Sequence, residues 1–535
     1  MSISLQASTA PHGGAPRLCV RALLNPAKYD HAVEKPRLLE THISWVILTG
    51  PYAYKIKKPV APGFLDFSTL ERRRFYCCEE LRLNRRLAPD IYLAVVPVTG
   101  TYEDPRMGGE GTPIEYAVRM RQFPQSALMD RLARCGALGP GDIDALARHV
   151  ADFHGRIDTA PAESRFGEPR AVHDPVDGNF EQLLPLIDDA RLRARLTALR
   201  EASASAWRAR EQALARRKQG GFVRECHGDL HLGNMALTDG HIVIFDGIEF
   251  SEELRWVDVM SEIALLLADL DHRGHADFAW RFLNRYLEHT GDYAGVRVLP
   301  YYMSYRAMVR AKVARLRGAQ SGLDREERDA LDTEFESYLG LAERYLEPGK
   351  PQLVITRGLP GCGKTTITEE LLAPLGAVRV RSDIERKRLF DLAPDARSGS
   401  GLETGIYAPS ATRKTYERLR SLAGAILDAG YTAIVDATFL EPQARARFKV
   451  LAAEHRARFV ILDIEADEQT LKARVSRRES AGRDASEAGL AVLERQLSSL
   501  RPLTPEERAD AVTVDGVRPD IDVIAEEVAR RSGGS

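Results

Sequence analysis

The segment Gly358-Leu359-Pro360-Gly361-Cys362-Gly363-Lys364-Thr365 constrains this chain more than any other, because it fits GxxxxGK[ST]. It follows a strand-like run, LVITR, and opens a helix-like stretch from Lys364 to Leu375. That strand–loop–helix setting is the one in which the motif works. The glycines Gly358, Gly361 and Gly363 let backbone N–H groups wrap phosphates, and the helix start adds positive dipole character. Lys364, with Thr366 beside it, reaches the β/γ-phosphates of ATP, and Thr365 is placed to bind Mg²⁺.

Around the loop, YTAIVDATF and RFVILDIEA are further apolar strands, each preceded by a helical segment. Such alternation predicts an α/β P-loop domain with a mainly parallel sheet. Asp383 follows one apparent strand, and Arg386 lies one helical turn on. Asp436 ends another strand, and Arg474, Arg477, Arg478 and Arg483 crowd a helix and loop. A carboxylate beside the transferable phosphate can orient or deprotonate an acceptor hydroxyl, and mobile arginines can stabilise phosphoryl charge. Two alternatives stay open: Asp383 also reads as a helix cap, and Asp436 as a Mg²⁺–water ligand or a strand-end turn residue.

The 535 residues allow three or four units at roughly 150 residues each. Residues 1–17, rich in Ser, Ala, Pro and Gly, read as a mobile tail. Glu347-Pro348-Gly349-Lys350-Pro351 reads as a linker. We therefore expect one domain over 18–346, a linker at 347–350 and the P-loop domain over 351–535. The first domain begins with strands: ISWVILTG and YAYKIKKPV form a hairpin around Thr49-Gly50-Pro51. A helix follows from Ser68 to Leu87, with Ser68 as its cap and Glu71 three residues on. After further strands the pattern is mostly helical to Leu346.

A second constellation lies in this first domain. His227-Gly228-Asp229-Leu230-His231-Leu232-Gly233-Asn234 has the spacing H-x-D-x(4)-N, and Asp246 ends the apolar run HIVIF. Protein-kinase-like folds use this layout. Asp229 would accept the acceptor's hydroxyl proton, while Asn234 and Asp246 would hold Mg²⁺. Strand alternation puts Lys55 and Lys57 on one face of YAYKIKKPV. Lys57 is the expected phosphate lysine, paired with Glu80, or with Glu79 as second choice. His227 reads as a brace for the loop.

Several motifs carry a family resemblance. ECHGDLHLGNM, VIFDGIEF and WVDVMSEIALLLADL, with weaker support from ADFHGR and CEELRLNRRLAP, resemble the aminoglycoside phosphotransferase family. The resemblance covers about residues 30–345. It implies an α+β protein-kinase-like fold, a catalytic base at Asp229, Mg²⁺ at Asp246 and a structural Asp258. The strand end here reads Asp246-Gly247-Ile248-Glu249 where that family often has Asp-Trp-Glu, and no G-x-G-x-x-G loop is evident. Residues 351–500 resemble small AAA-type P-loop kinases of the polynucleotide-kinase and zeta-toxin kind, through GLPGCGKTT, Ser382–Arg386, VDATF, RVSRRE and Asp484–Ala488. That resemblance implies roles at the acceptor or nucleotide for Asp383, Arg386, Asp436 and Arg477. The fusion itself is similar to bacterial bifunctional aminoglycoside phosphotransferase/ATP-binding proteins.

Composition narrows the partners. Lys+Arg 75 against Asp+Glu 77 leaves a formal charge of −2, so no global basic field favours nucleic acid or an anionic membrane. Six cysteines without a CxxC pair argue for reduced thiols rather than a disulfide or zinc scaffold. The N-terminus does not read as a signal peptide, and the most apolar stretch, Ile263 to Leu270, is too short to span a membrane. The expectation is a cytoplasmic, ATP- and Mg²⁺-dependent phosphotransferase with two nucleotide sites. It acts on a small-molecule acceptor and needs no obligate protein partner. Two other readings stand beside it: one domain regulating the other through ATP, and nucleic-acid end phosphorylation by the second domain.

Overall fold

A computed structural model describes residues 18–61, 65–319, 322–394, 396–400, 404–481 and 489–531. The expected N-terminal tail, Arg483 and the Asp484–Ala488 motif lie outside these. The chain forms two compact units. One holds the residues up to Ala145, Asp152–Arg273 and Tyr301–Leu346; the other holds Leu146–Ala151, Gly274–Pro300 and the residues from Glu347 onward.

The first unit opens with a six-stranded antiparallel sheet. Its strands are β1 (Arg37–Glu40), β2 (Ser44–Leu48), β3 (Tyr52–Lys57), β4 (Tyr92–Gly100), β5 (Pro105–Met107) and β6 (Glu115–Arg121), in the order β1-β2-β3-β6-β4-β5. Period-2 alternation sends Tyr54 and Ile56 into one core with Leu23, Ile47 and Val98, and points Lys55 and Lys57 to the other face. The helix Leu70–Asn84 brings Glu80 to that second face. Its cap is Thr69, whose hydroxyl accepts from Arg72 N at 3.2 Å, and not Ser68 as the sequence suggests. Ser68 is held one residue earlier, its N–H donating to Asp66.

Two short antiparallel ladders carry the loops of the helical part. β7 (Val223–Glu225) pairs with β10 (Trp256–Asp258), and β8 (Met235–Thr238) with β9 (His241–Ile244). The apolar stretch Ile263–Leu270 lies inside a buried helix, Val259–His272, rather than a span. Asp258 caps that helix by accepting from Met260 N, and Arg217 donates to both its oxygens at 2.7 and 2.8 Å. This is the structural role the sequence implied. Among the described residues no helix is long and apolar enough to cross a membrane, and all six cysteines are free thiols.

The second unit is built on five parallel strands, β11 (Gln352–Arg357), β12 (Ala377–Arg381), β13 (Thr432–Asp436), β14 (Arg458–Glu465) and β15 (Ala511–Asp515). Their order is β12-β13-β11-β14-β15, all parallel, as expected. Every residue of β11 and β13 is buried, which is why these strands read as unbroken apolar runs. The carboxyl ends of the adjacent strands β11, β13 and β12 lead into the P-loop, Asp436 and Asp383. Open parallel sheets bind ligands at that edge.

Candidate active sites

In the first unit, the lysine pair is resolved by burial. Glu80, fully buried, accepts from Lys57 Nζ at 2.7 Å on one oxygen and faces Lys55 Nζ at 2.8 Å with the other. Lys57 also donates to Glu249, and Lys55 to Asp246. Lys57 is 0% exposed and its ammonium is held by two carboxylates, Glu80 being the partner the sequence suggests. Lys55, one pleat back on the same face, presents its ammonium to Asp246. Glu79 points elsewhere, to Arg82.

Burial alone would neutralise Glu80, but Lys55 and Lys57 hold its carboxyl down to about 2. Burial works against both ammonium groups too, yet the surrounding carboxylates keep both pKa values above the ordinary lysine value. Removing Glu80 leaves two buried cations sharing one fewer anion. Glu80→Ala is expected to destabilise this unit by about 3–5 kcal/mol, against about 1 kcal/mol or less for Glu79→Ala. Urea unfolding checks this; equal losses would sink it. Because the native pKa lies below the unfolded one, this stabilisation holds at neutral pH and fades as pH falls from the usual glutamate range toward about 2.

The loop after β7 is fixed from beneath. Buried Glu262 accepts from the N–H groups of His227 (2.8 Å) and Gly228 (3.0 Å), and Asp269 accepts from Leu232 N at 3.0 Å. His227 donates Nε2–H to the Phe245 carbonyl and accepts from Asp229 N with Nδ1. Burial pushes its pKa down to about 4, so it is a neutral brace, as expected. Asn234 Nδ2 donates to the Asp229 carbonyl (3.1 Å) and to Oδ2 (3.2 Å), which leaves its Oδ1 for other partners. Asp246 sits in the left-handed region at φ 62°, and its N–H donates to the Tyr92 hydroxyl. A non-glycine residue in that conformation stores strain. Here it accompanies a carboxylate that keeps 49% exposure.

His231 lies in the same loop, two residues after Asp229. Its Nδ1 accepts from Gly233 N, so in the neutral ring Nε2 carries the proton, 3.5 Å from Asp229 Oδ2. Burial would raise the Asp229 pKa, but His231, with Arg310 and His227 behind it, holds it well below the usual carboxylate range. The same pairing overcomes burial at His231 and raises its pKa. If Asp229 must be ionised for turnover, the acid limb of the pH–rate profile lies at unusually low pH. His231→Gln removes the pairing and is expected to move that limb upward. An unmoved limb would show that His231 does not tune Asp229.

In the second unit the loop geometry follows from its glycines. A Cβ on Gly358 would lie 2.5 Å from Cys362 Sγ and 2.7 Å from the Ile464 carbonyl. Gly361 and Gly363 adopt φ of 86° and 102°, which side chains rarely tolerate. Lys364 Nζ donates to the carbonyls of Gly358 (3.0 Å) and Leu359 (2.9 Å). Thr365 Oγ1 donates to Asp436 Oδ2 at 2.8 Å. Asp436 is thus drawn into the loop's hydroxyl rather than into a turn of its own.

A cleft of about 1910 Å³ opens above the loop, lined by Lys364, Thr365, Thr366, Asp383, Asp436 and Arg477 among others. Asp383 is the second residue of the helix Ser382–Arg388, whose cap position is Arg381 with no side-chain cap bond. The helix-cap alternative is therefore not the one adopted. Arg477 is exposed on the helix Glu468–Ala481. Its neighbour Arg474 is tied to the carbonyls of Gly361 and Gly516. Arg386 also lines the cleft. It is 8% exposed, donates to the Ile406 carbonyl and Thr412 Oγ1, and lies over the Tyr407 ring. These contacts hold it in the cleft wall.

Comparison with known proteins agrees with the fusion of two kinds of domain. Residues 79–299 match the phosphotransferase enzyme family, and residues 353–503 match an AAA domain. Uncharacterized proteins of Mycobacterium tuberculosis and Mycobacterium bovis are each 30% identical over 458 residues, 85% of this chain and 89% of theirs. The chain belongs to the family of these proteins. It is a phosphotransferase-family enzyme joined to a P-loop AAA domain, as the resemblance implied. Among solved structures, Plasmodium vivax ethanolamine kinase is 13% identical, covering 60% of this chain and 86% of its own, with a TM-score of 0.37. A gluconokinase from Sinorhizobium meliloti is 18% identical, covering 35% and 93%, with a TM-score of 0.24.

Three residues that the fold gathers around Lys57 and the Asp229 loop were not singled out from the sequence: Lys55, Glu249 and Glu262. Lys55 was visible as a face-mate of Lys57. Glu249 stood in the variant strand-end pattern. Glu262 carried no signal beyond one acidic residue in an apolar helix.

Proposed function

We propose that the chain is an ATP- and Mg²⁺-dependent phosphotransferase with two nucleotide sites. The observation that carries this reading is the paired arrangement of metal-suited oxygens beside a cation. In the first unit Asp246 stands with Lys55, and the residue before it, Phe245, donates its N–H to the Asn234 carbonyl. In the second, Thr365 Oγ1 and Asp436 stand with Lys364. Hard oxygen donors of this kind suit Mg²⁺, which neutralises phosphate charge when bound.

The roles follow from the chemistry of each group. Lys55 orients the nucleotide phosphates, and Glu80 holds Lys55 in place. Asp229, kept ionised by His231, accepts the proton of a small-molecule hydroxyl as that oxygen attacks phosphorus. In the second unit Lys364 and the loop N–H groups hold phosphates, Asp383 faces the acceptor, and Arg477 covers the nucleotide.

The test is a mass-spectrometric screen. Full-length protein, Asp229→Asn and Lys364→Ala are incubated with ATP, Mg²⁺ and a metabolite extract. Phosphorylated products lost separately in the two variants are expected. If ATP binds but no product forms, the regulatory reading replaces this one.

A further inference from the structure

The helix Ala276–Thr290 precedes the linker by more than fifty residues, yet it packs within the second unit. Its Asn284 grips the outer strand β12 with both ends of its amide. Nδ2 donates to the Ala377 carbonyl at 3.0 Å, and Oδ1 accepts from Arg379 N at 2.7 Å. One turn on, buried Glu288 accepts from Arg379 Nη2 at 2.9 Å through Oε1. Arg379 is fully buried. It donates to the Thr365 carbonyl (3.0 Å) and to Thr368 Oγ1 (3.1 Å), with Glu369 as second counter-ion at 2.6 Å. The other oxygen of Glu288 faces Arg285 at 2.9 Å and Arg381 at 3.7 Å. Arg381 Nε in turn lies 3.9 Å from Asp436 Oδ2, the oxygen that accepts from Thr365.

We propose that Glu288 is a positioning residue for the P-loop metal pair, holding Arg381 off Asp436 and Arg379 on Thr365. The inference rests on the Mg²⁺ reading of that site. Arg381 sits between two carboxylates at 3.7 and 3.9 Å. Both exceed the roughly 2.8 Å of a formed charge-assisted bond. Its position is therefore a balance of two attractions. Its side chain is 12% exposed, so water screens that balance weakly. Burial opposes ionisation of Glu288, but Arg379, Arg381 and Arg285 hold its carboxyl down to about 2, which keeps it charged at neutral pH. Without that charge, the guanidinium closes on Asp436 and takes the lone pairs a divalent cation needs. Arg379 keeps Glu369, so the strand and helix stay joined.

The test uses the full chain and a fluorescent ATP analogue. The P-loop component is the part of binding lost in Lys364→Ala. Glu288→Gln is expected to raise the Mg²⁺ needed for half-saturation of that component about 10- to 100-fold, with metal-free nucleotide affinity unchanged. Adding Arg381→Gln restores the Mg²⁺ requirement. An unchanged requirement in folded Glu288→Gln overturns the inference and leaves the proposed function standing. Parallel loss of metal-free and Mg²⁺-dependent binding, unrescued by Arg381→Gln, also overturns it, since Glu288 then only supports the fold. If wild type has no Mg²⁺-dependent component lost in Lys364→Ala, the reading of the site fails and the inference with it. Should Glu288→Gln not fold, Arg381→Gln alone decides: removing the competing cation lowers the requirement below wild type, and no change refutes the proposal.

Discussion

Asp229→Asn is expected to lower phosphoryl transfer by the first unit about 10²- to 10⁴-fold, the range for loss of a general base. Asparagine keeps the shape of the side chain and can still accept from Asn234 Nδ2, which now approaches Oδ2 at 3.2 Å. The loop itself is held by Glu262 and His227 through backbone bonds that the substitution does not touch. What is lost is the capacity to take a proton. Nucleotide affinity should therefore stay near wild type, because Lys55, Glu80 and Asp246 are intact. The fall should appear in kcat more than in KM for ATP. His231 loses its counter-ion and should titrate at lower pH, visible by NMR. A loss smaller than about tenfold would mean that Asp229 only orients the acceptor.

What was legible in the sequence was what chemistry confines to a short stretch. A phosphate loop must be contiguous, so eight residues declared it, and the strand before it and the helix after it supplied its context. Asp229 and Asn234 share one loop for the same reason. Choices settled by distant residues were not legible. Alternation put Lys55 and Lys57 on one face, and only Glu249, 192 residues away, encloses the second of them. The contacts of Arg386 were not legible because their partners, Ile406 and Thr412, come from a later segment. The Pro/Gly run at 347–351 is a conspicuous break. Nothing local announces that Gly274–Pro300 packs with residues beyond it. Its helix Ala276–Thr290 is amphipathic, and Asn284 and Glu288 on it find their partners only in three dimensions.

Lys364→Ala is expected to weaken nucleotide binding at the second site by roughly 30- to 4,000-fold. That corresponds to the roughly 2–5 kcal/mol lost when one partner of a desolvated, hydrogen-bonded charge pair is truncated. Lys364 Nζ already lies against the loop, donating to the carbonyls of Gly358 and Leu359, so it needs only a rotation of its own stem to meet a phosphate. The loop should survive the change, since its path is set by Gly361, Gly363 and the close approach of Gly358 to Ile464, not by the lysine. Thr365 also keeps Asp436 at 2.8 Å. The defect should therefore be one of charge, partly offset by raising Mg²⁺ and nearly unchanged for a nucleoside without phosphates. Isothermal titration resolves the two sites: the first should bind as in wild type, because the cation proposed for it is Lys55, held by Glu80 and Asp246. Loss of both sites together would show that the two nucleotides are not bound independently. The regulatory reading would then explain the fusion better than two kinases in one chain.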